Sequence, residues 1–167
     1  EVLPACHLPA PIVCAPRGRG LIASIRGAGG IRECAIAVAN GAGPASLKEM
    51  FEQCFARFRA RPAFASMGVQ LSYGEVDGLS KDFAGYLRGD LGLERGDRVG
   101  IMLPNLLQYP VALIGALRAG LAVVNVNPLY TPRELEIQLA DSGTSAVLVL
   151  ENFASTLQQA LPHTAVR

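Results

Sequence analysis

The sequence predicts an α/β protein assembled from parallel βαβ units, with a poorly ordered N-terminal segment. Three observations carry this. Short apolar runs of strand length recur at Val99 to Leu103, Leu121 to Val126 and Ala146 to Leu150. A segment of helical length and pattern lies between successive runs, long enough for the crossover that parallel strands need. The runs are apolar on both faces, as in a sheet covered by helices on each side.

The elements follow in order. Residues 1–45 are crowded with Ala, Gly, Pro and Arg and contain no Phe or Tyr. So few large side chains repay little of the entropy of ordering a backbone, and low order is expected here. Leu21 to Val38 has the pattern of no more than a weak helix or strand. Gly18, Gly20 and Ala23 match the G-x-G-x-x-A spacing of a dinucleotide turn, but Ala15, Pro16 and Arg17 stand where a strand is required, so the match reads as chance. A boundary falls at Ser46. Ser46 and Glu49 have the spacing of a capping box, and Leu47, Met50, Phe51, Cys54, Phe55 and Phe58 share one helical face, predicting an amphipathic helix packed on a core. Pro62 to Ser66 and Val69 to Ser72, split by Met67 and Gly68, read as a short hairpin. Ser72 and Glu75 make a second capping box, for a helix burying Val76, Leu79, Phe83, Tyr86 and Leu87. Gly78, Gly85 and Gly89 either weaken that helix or admit a close neighbour.

A turn at Gly96 and Asp97 leads into the first long apolar strand, which stops at Pro104. Asn105 is placed as the side-chain cap of the next helix, running through Leu106, Leu107, Tyr109, Ala112, Leu113, Ala116 and Leu117 to Gly120. Pro110 falls near the first turn, where a missing N–H costs little. The strand from Leu121 then lies parallel to the first across a right-handed crossover. Thr131, Pro132 and Glu134 supply an N-cap, a proline at the first helical position and a capping-box carboxylate, ahead of Leu135, Ile137 and Leu139. Asp141, Ser142 and Gly143 close that helix. After the strand at Ala146, Phe153 to Leu161 predicts a short helix ended by Pro162.

With 167 residues, 50% of them hydrophobic, the chain has room for one globular α/β domain. A net charge of +1 from scattered basic residues argues against nucleic acid as the main partner. No apolar run approaches bilayer-spanning length and the N-terminus lacks a signal-peptide pattern, so a cytoplasmic location is expected. Cys6, Cys14, Cys34 and Cys54 form no C-x-x-C pair and have no histidine at ligand spacing, which favours free thiols over zinc. Cys6 beside His7 is a poor nucleophile and base, because adjacent residues rarely face one substrate together. His163 reads as a solvated loop residue.

From about Ser46 to Arg167 the sequence resembles the AMP-forming acyl-CoA synthetases, the adenylating superfamily that includes luciferases and peptide-synthetase adenylation domains. Leu71-Ser72-Tyr73-Gly74-Glu75-Val76 is similar to its first core motif, and Ala116-Leu117-Arg118-Ala119-Gly120 through Asn127-Pro128 to its second. Met102 to Pro110 and Val124 to Glu134 resemble bacterial long-chain fatty-acid CoA ligases in particular. The resemblance implies the N-terminal part of the adenylate-forming fold. For the complete enzyme it implies a fatty carboxylate attacking the α-phosphate of Mg-ATP, giving an acyl-adenylate and pyrophosphate, after which the thiol of CoA displaces AMP. Fatty acid, ATP, Mg and CoA are the implied substrates and cofactors, with peripheral attachment to the inner membrane and a homodimer as options for the parent.

The family's Gly/Ser/Thr-rich phosphate loop, its acidic residue further on and its C-terminal lysine find no counterpart here. The resemblance therefore implies a truncated portion, inactive alone, with no catalytic, cofactor-binding or metal-binding residue and no tight hold on ATP, Mg or CoA. Asn125, Asn127, Tyr130 and Arg133 lie just past a strand's carboxyl end, where α/β sheets bind ligands. The favoured reading is nonetheless that Asn127 and Pro128 shape a turn and that Arg133 is exposed in a first helical turn. Capping likewise explains Glu75 and Glu134 without an acid–base role. Residues 1–45 do not resemble the aromatic- and Pro-containing leader of long-chain ligases, and no Met initiates them, so the segment reads as out of frame or misassembled. An intact in-frame coding sequence across codon 45 would refute that. Two other functions stay open: a non-catalytic acyl- or partner-binding module, and an unrelated nucleotide-binding domain. The second needs a phosphate loop that Pro104-Asn105, Asn127-Pro128 and Asn152 do not supply. An incomplete sheet would also expose an edge prone to aggregation.

Overall fold

The computed structural model describes residues 45–66 and 68–166, and within them five strands form two sheets. In chain order the elements are α1 (Leu47–Phe58), β1 (Pro62–Ser66), β2 (Val69–Ser72), α2 (Tyr73–Gly89), β3 (Arg98–Met102), α3 (Gln108–Arg118), β4 (Ala122–Asn125), α4 (Pro132–Ser142), β5 (Ala146–Val149) and α5 (Ala154–Ala160). The segment 1–44, with Cys6, His7, Cys14, Cys34 and the Gly18, Gly20, Ala23 spacing, lies outside the described residues.

The three predicted apolar runs form one parallel sheet in the order β4-β3-β5, with Ile101 paired to Asn125 on one side and Leu148 on the other. Because β3 is central it is buried at every position after Arg98. On one face Ile101 and Leu103 pack with Ala112 of α3 and Phe83 of α2, and Val99 packs with Leu87, Ala116 and Leu121. On the other, Met102 and Val126 meet Leu135 and Leu139 of α4 and Leu157 and Ala160 of α5. The β1–β2 hairpin is antiparallel, with an irregular register between Pro62 and Phe64. It joins α1 in a further layer over α2 and α3, where Phe55, Ala63, Leu71, Val76, Leu107, Val111 and Ile114 form a separate cluster.

Several expectations are corrected at residue level. Asn105 caps nothing: α3 begins at Gln108 after Leu107, without a side-chain cap bond. Leu106 and Leu107 are drawn into the core instead, 7% and 0% exposed, and a turn from Pro104 delivers them there. Ser46 accepts from the Glu49 N–H as expected, but the Glu49 carboxylate accepts from the N–H of Ala45 rather than returning to Ser46. Leu47 and Ile137 are exposed: Leu47 is the first residue of α1, at its free end, and Ile137 lies off the stripe that Leu135 and Leu139 define. On α2 the positions buried most deeply include Asp77 and Ser80, while Leu79 and Tyr86 are only half-buried. No neighbour approaches Gly78, Gly85 or Gly89; the close approach between helices is at Gly115 of α3, where an added Cβ would stand 2.9 Å from the Ser80 carbonyl oxygen and 2.8 Å from the Phe83 ring. Pro162 does not abruptly end α5 but sits in a single 3-10 turn, Leu161–His163, that follows it.

Candidate functional site at the carboxyl end of the sheet

Parallel strands leave a crevice at their carboxyl ends, where successive loops diverge. Here those loops are Leu103 to Leu107, Val126 to Thr131 and Leu150 to Phe153. The structure brings Asn125, at the end of β4, against Tyr109 in the first turn of α3: the Tyr109 hydroxyl donates to Asn125 Oδ1 at 2.8 Å. The Gln138 side-chain amide of α4 donates to the Asn125 carbonyl oxygen at 3.0 Å. Asn125 thus ties both flanking helices to the end of one strand. Burial pushes the Tyr109 hydroxyl above its ordinary pKa, so at neutral pH it remains a proton donor and not a phenolate.

The other predicted positions serve the backbone. Asn127 Oδ1 accepts from the Leu129 N–H at 3.0 Å and its carbonyl accepts from the Tyr130 N–H, an Asx turn of the kind its sequence suggests. Tyr130 is half-buried against the Met102 cluster. Arg133 points to solvent, 74% exposed, and pairs with Glu136 at 2.6 Å. Glu134 accepts from both the N–H and the hydroxyl of Thr131, and those bonds hold its carboxyl below the usual range; Glu75 does the same with Ser72. Sequence reasoning missed the roles of Tyr109, placed only as a helix residue, and of Gln138. Their signal is position, since one opens the helix before β4 and the other lies on the helix after it.

A triphosphate needs free backbone N–H groups converging from a glycine-rich turn or an open helix N-terminus. The described loops do not fit one. Leu106, Leu129, Tyr130 and Thr131 already spend their N–H groups on Pro104, Asn127 and Glu134. The Glu134 carboxylate occupies the N-terminal end of α4, where a phosphate would have to sit. The glycines at positive φ that belong to the sheet, Gly96, Gly120 and Gly143, precede β3, β4 and β5 and so lie at its opposite end. Among the described residues no group of three or more His, Cys, Asp or Glu is placed to hold a metal ion. The arrangement organises the loops at the carboxyl end of the sheet.

A second polar constellation lies in the interior and joins the two motifs singled out above. Asp77 follows the first motif directly and Arg118 belongs to the second. Arg118, its side chain 6% exposed, donates from Nη2 to Asp77 Oδ1 at 2.6 Å and from Nη1 to the Asp77 carbonyl at 2.7 Å and to Ser80 Oγ at 2.6 Å. Its Nε reaches Glu52 of α1 at 2.9 Å, and its guanidinium lies 4.9 Å from the centre of the Phe55 ring. Lys81 and, more distantly, Arg59 share the second Asp77 oxygen. One guanidinium thus holds α1, α2 and α3 together, and Asp77 and Arg118 turn inward to each other.

Comparison with known proteins places this architecture. A family model described as "AMP-binding enzyme" matches residues 51–167. The long-chain-fatty-acid–CoA ligase of Escherichia coli O6:H1 is 57% identical over 122 residues, which cover 73% of this chain and 22% of that protein. Among solved structures, a benzoate CoA ligase from Burkholderia xenovorans LB400 superposes with a TM-score of 0.67 at 26% identity, over 72% of this chain and 24% of that one. A fatty acyl CoA synthetase of Mycobacterium tuberculosis gives 0.65 at 26% identity, over 71% and 25%. The chain therefore spans about a fifth to a quarter of the length of these relatives.

Proposed function

Because the chain belongs to the AMP-binding enzyme family, we propose that the whole protein activates long-chain fatty acids, first as acyl-adenylates with ATP and Mg and then as thioesters of CoA. The observation that carries this is the 57% identity to a long-chain ligase across the described fold. Within that enzyme, residues 46–166 act as scaffold. We assign them no catalytic, cofactor-binding or metal-binding residue, since the loop donors named above are engaged in turns and caps, Glu75 in its capping box, and Asp77 and Arg118 with each other. The division from residues 1–45 is drawn at Ser46, supported by the start of α1 at Leu47 and of the family match at Phe51. The same reading puts the enzyme in the cytoplasm, at most peripheral to the inner membrane; among the described residues no helix is long and apolar enough to cross a bilayer.

The test is a ligase assay with ATP, Mg, CoA and palmitate. The 167-residue chain alone is expected to form no palmitoyl-CoA, and a full-length protein carrying this segment is expected to form it. Turnover by the chain alone would overturn the scaffold assignment. A full-length protein that adenylates only some other carboxylate would overturn the substrate.

A further inference from the structure

The junction of α1 and β1 places three arginines within five residues, Arg57, Arg59 and Arg61, all exposed. It is a built corner. The carbonyl oxygens of Arg59 and Arg61 accept from the N–H groups of Gly74 and Tyr73 at 2.8 and 3.0 Å, which pins the segment to the start of α2. A Cβ at Gly74 would stand 3.1 Å from the Arg59 carbonyl oxygen, so the corner fits closely. The Phe58 ring packs on Tyr73, 5.7 Å between centres, and both Arg57 and Arg61 hold their guanidiniums over that ring, at 5.2 and 5.3 Å.

Among the described residues Arg57 and Arg61 make no ion pair, and Arg59 has only a long contact with Asp77 at 3.7 Å. The nearby carboxylates are engaged elsewhere: Asp77 with Arg118 and Lys81, Glu75 in its capping box, Glu52 with Arg118. Two stacked guanidiniums with their edges uncommitted are pre-organised, so a partner orders little on binding them. We propose that this corner docks a carboxylate-rich segment of a partner protein, with Arg57 and Arg61, both stacked on Phe58, as bidentate anchors and Arg59 as a supporting charge. A lipid surface fits less well. Among the described residues the corner presents no large free apolar side chain to insert, because Phe58 is half-buried under the guanidiniums, and exposed Leu47 is at the far end of α1.

The experiment measures fluorescence anisotropy of a labelled peptide of alternating glutamate and serine against the 167-residue chain, at low and physiological salt. The R57Q/R61Q variant should bind at least about tenfold more weakly. R88Q/R133Q, which removes as much charge elsewhere, should stay within about twofold of the parent. Circular-dichroism melts verify that both variants fold. The proposal fails if the peptide does not bind, or if both variants lose affinity equally. It fails also if phosphatidylglycerol vesicles are bound through Arg57 and Arg61 while the peptide is not.

Discussion

Asp77 occupies a position on α2 that helical spacing would give to an apolar residue, and it tolerates burial because three cations converge on it. Burial by itself would raise the pKa of its carboxyl. Hydrogen bonds from Lys81 and Arg118, with their charges, outweigh that and hold it below the ordinary 3.8. The folded value is thus lower than the unfolded one, so the stabilisation is complete above the unfolded value and is lost as pH falls from about 4 through the folded value. Urea unfolding of the parent and of D77N should show a stability gap that is widest near neutral pH and closes on acidification below about pH 4. A gap independent of pH would show that the charge on Asp77 contributes nothing.

At the scale of elements, α2 and α3 come together at Gly115, where one of the two nearest obstacles, the Ser80 carbonyl oxygen, is backbone and cannot swing aside. G115A is therefore expected to cost about 1–3 kcal/mol in chemical denaturation, whereas G85A, facing open space, should stabilise α2 slightly. An equal loss at both positions would refute the contact. The same elements show what a sequence discloses. The hairpin, the caps at Ser72 and Thr131 and the three strands were legible, because local spacing and turn chemistry determine them. Asn105 misled because its capping chemistry is local, while the burial of Leu107, just before the start of α3, depends on a cluster supplied by α1, the hairpin and α2. Gly115 gave no warning for the same reason: the residue it must clear, Phe83, is distant in sequence. The candidate site was half visible. Asn125 and Asn127 were placed by following the strand to its end, but the Tyr109 and Gln138 contacts depend on how two helices flank it.

Across the whole molecule, stability is distributed unevenly. β3 is paired on both sides and covered on both faces, while α1 is joined to the rest through Phe55, its cluster and the Arg118 guanidinium. Removing Arg118 leaves the buried Asp77 carboxylate with only Lys81 and a distant Arg59, so R118A is expected to cost about 3–5 kcal/mol. Hydrogen exchange should locate that loss. Amides of α1 and the amino-terminal half of α2 should exchange much faster in R118A than in the parent, with α4 protected nearly as before. Uniform acceleration, α4 included, would show that the guanidinium supports the fold generally and not the packing of α1.

The reach of Arg118 has a consequence in time. Glu52 finds its partner 66 residues further along the chain, and Phe55 shares it. At about 5–20 residues per second, a ribosome needs roughly 3 to 13 s to make that stretch. Helix α1 thus leaves the ribosome well before its guanidinium clasp exists, and its aromatic stripe, met first by the hairpin and α2, waits for α3 to complete the cluster. A pause in synthesis within that interval would lengthen the time for which α1 lacks its clasp.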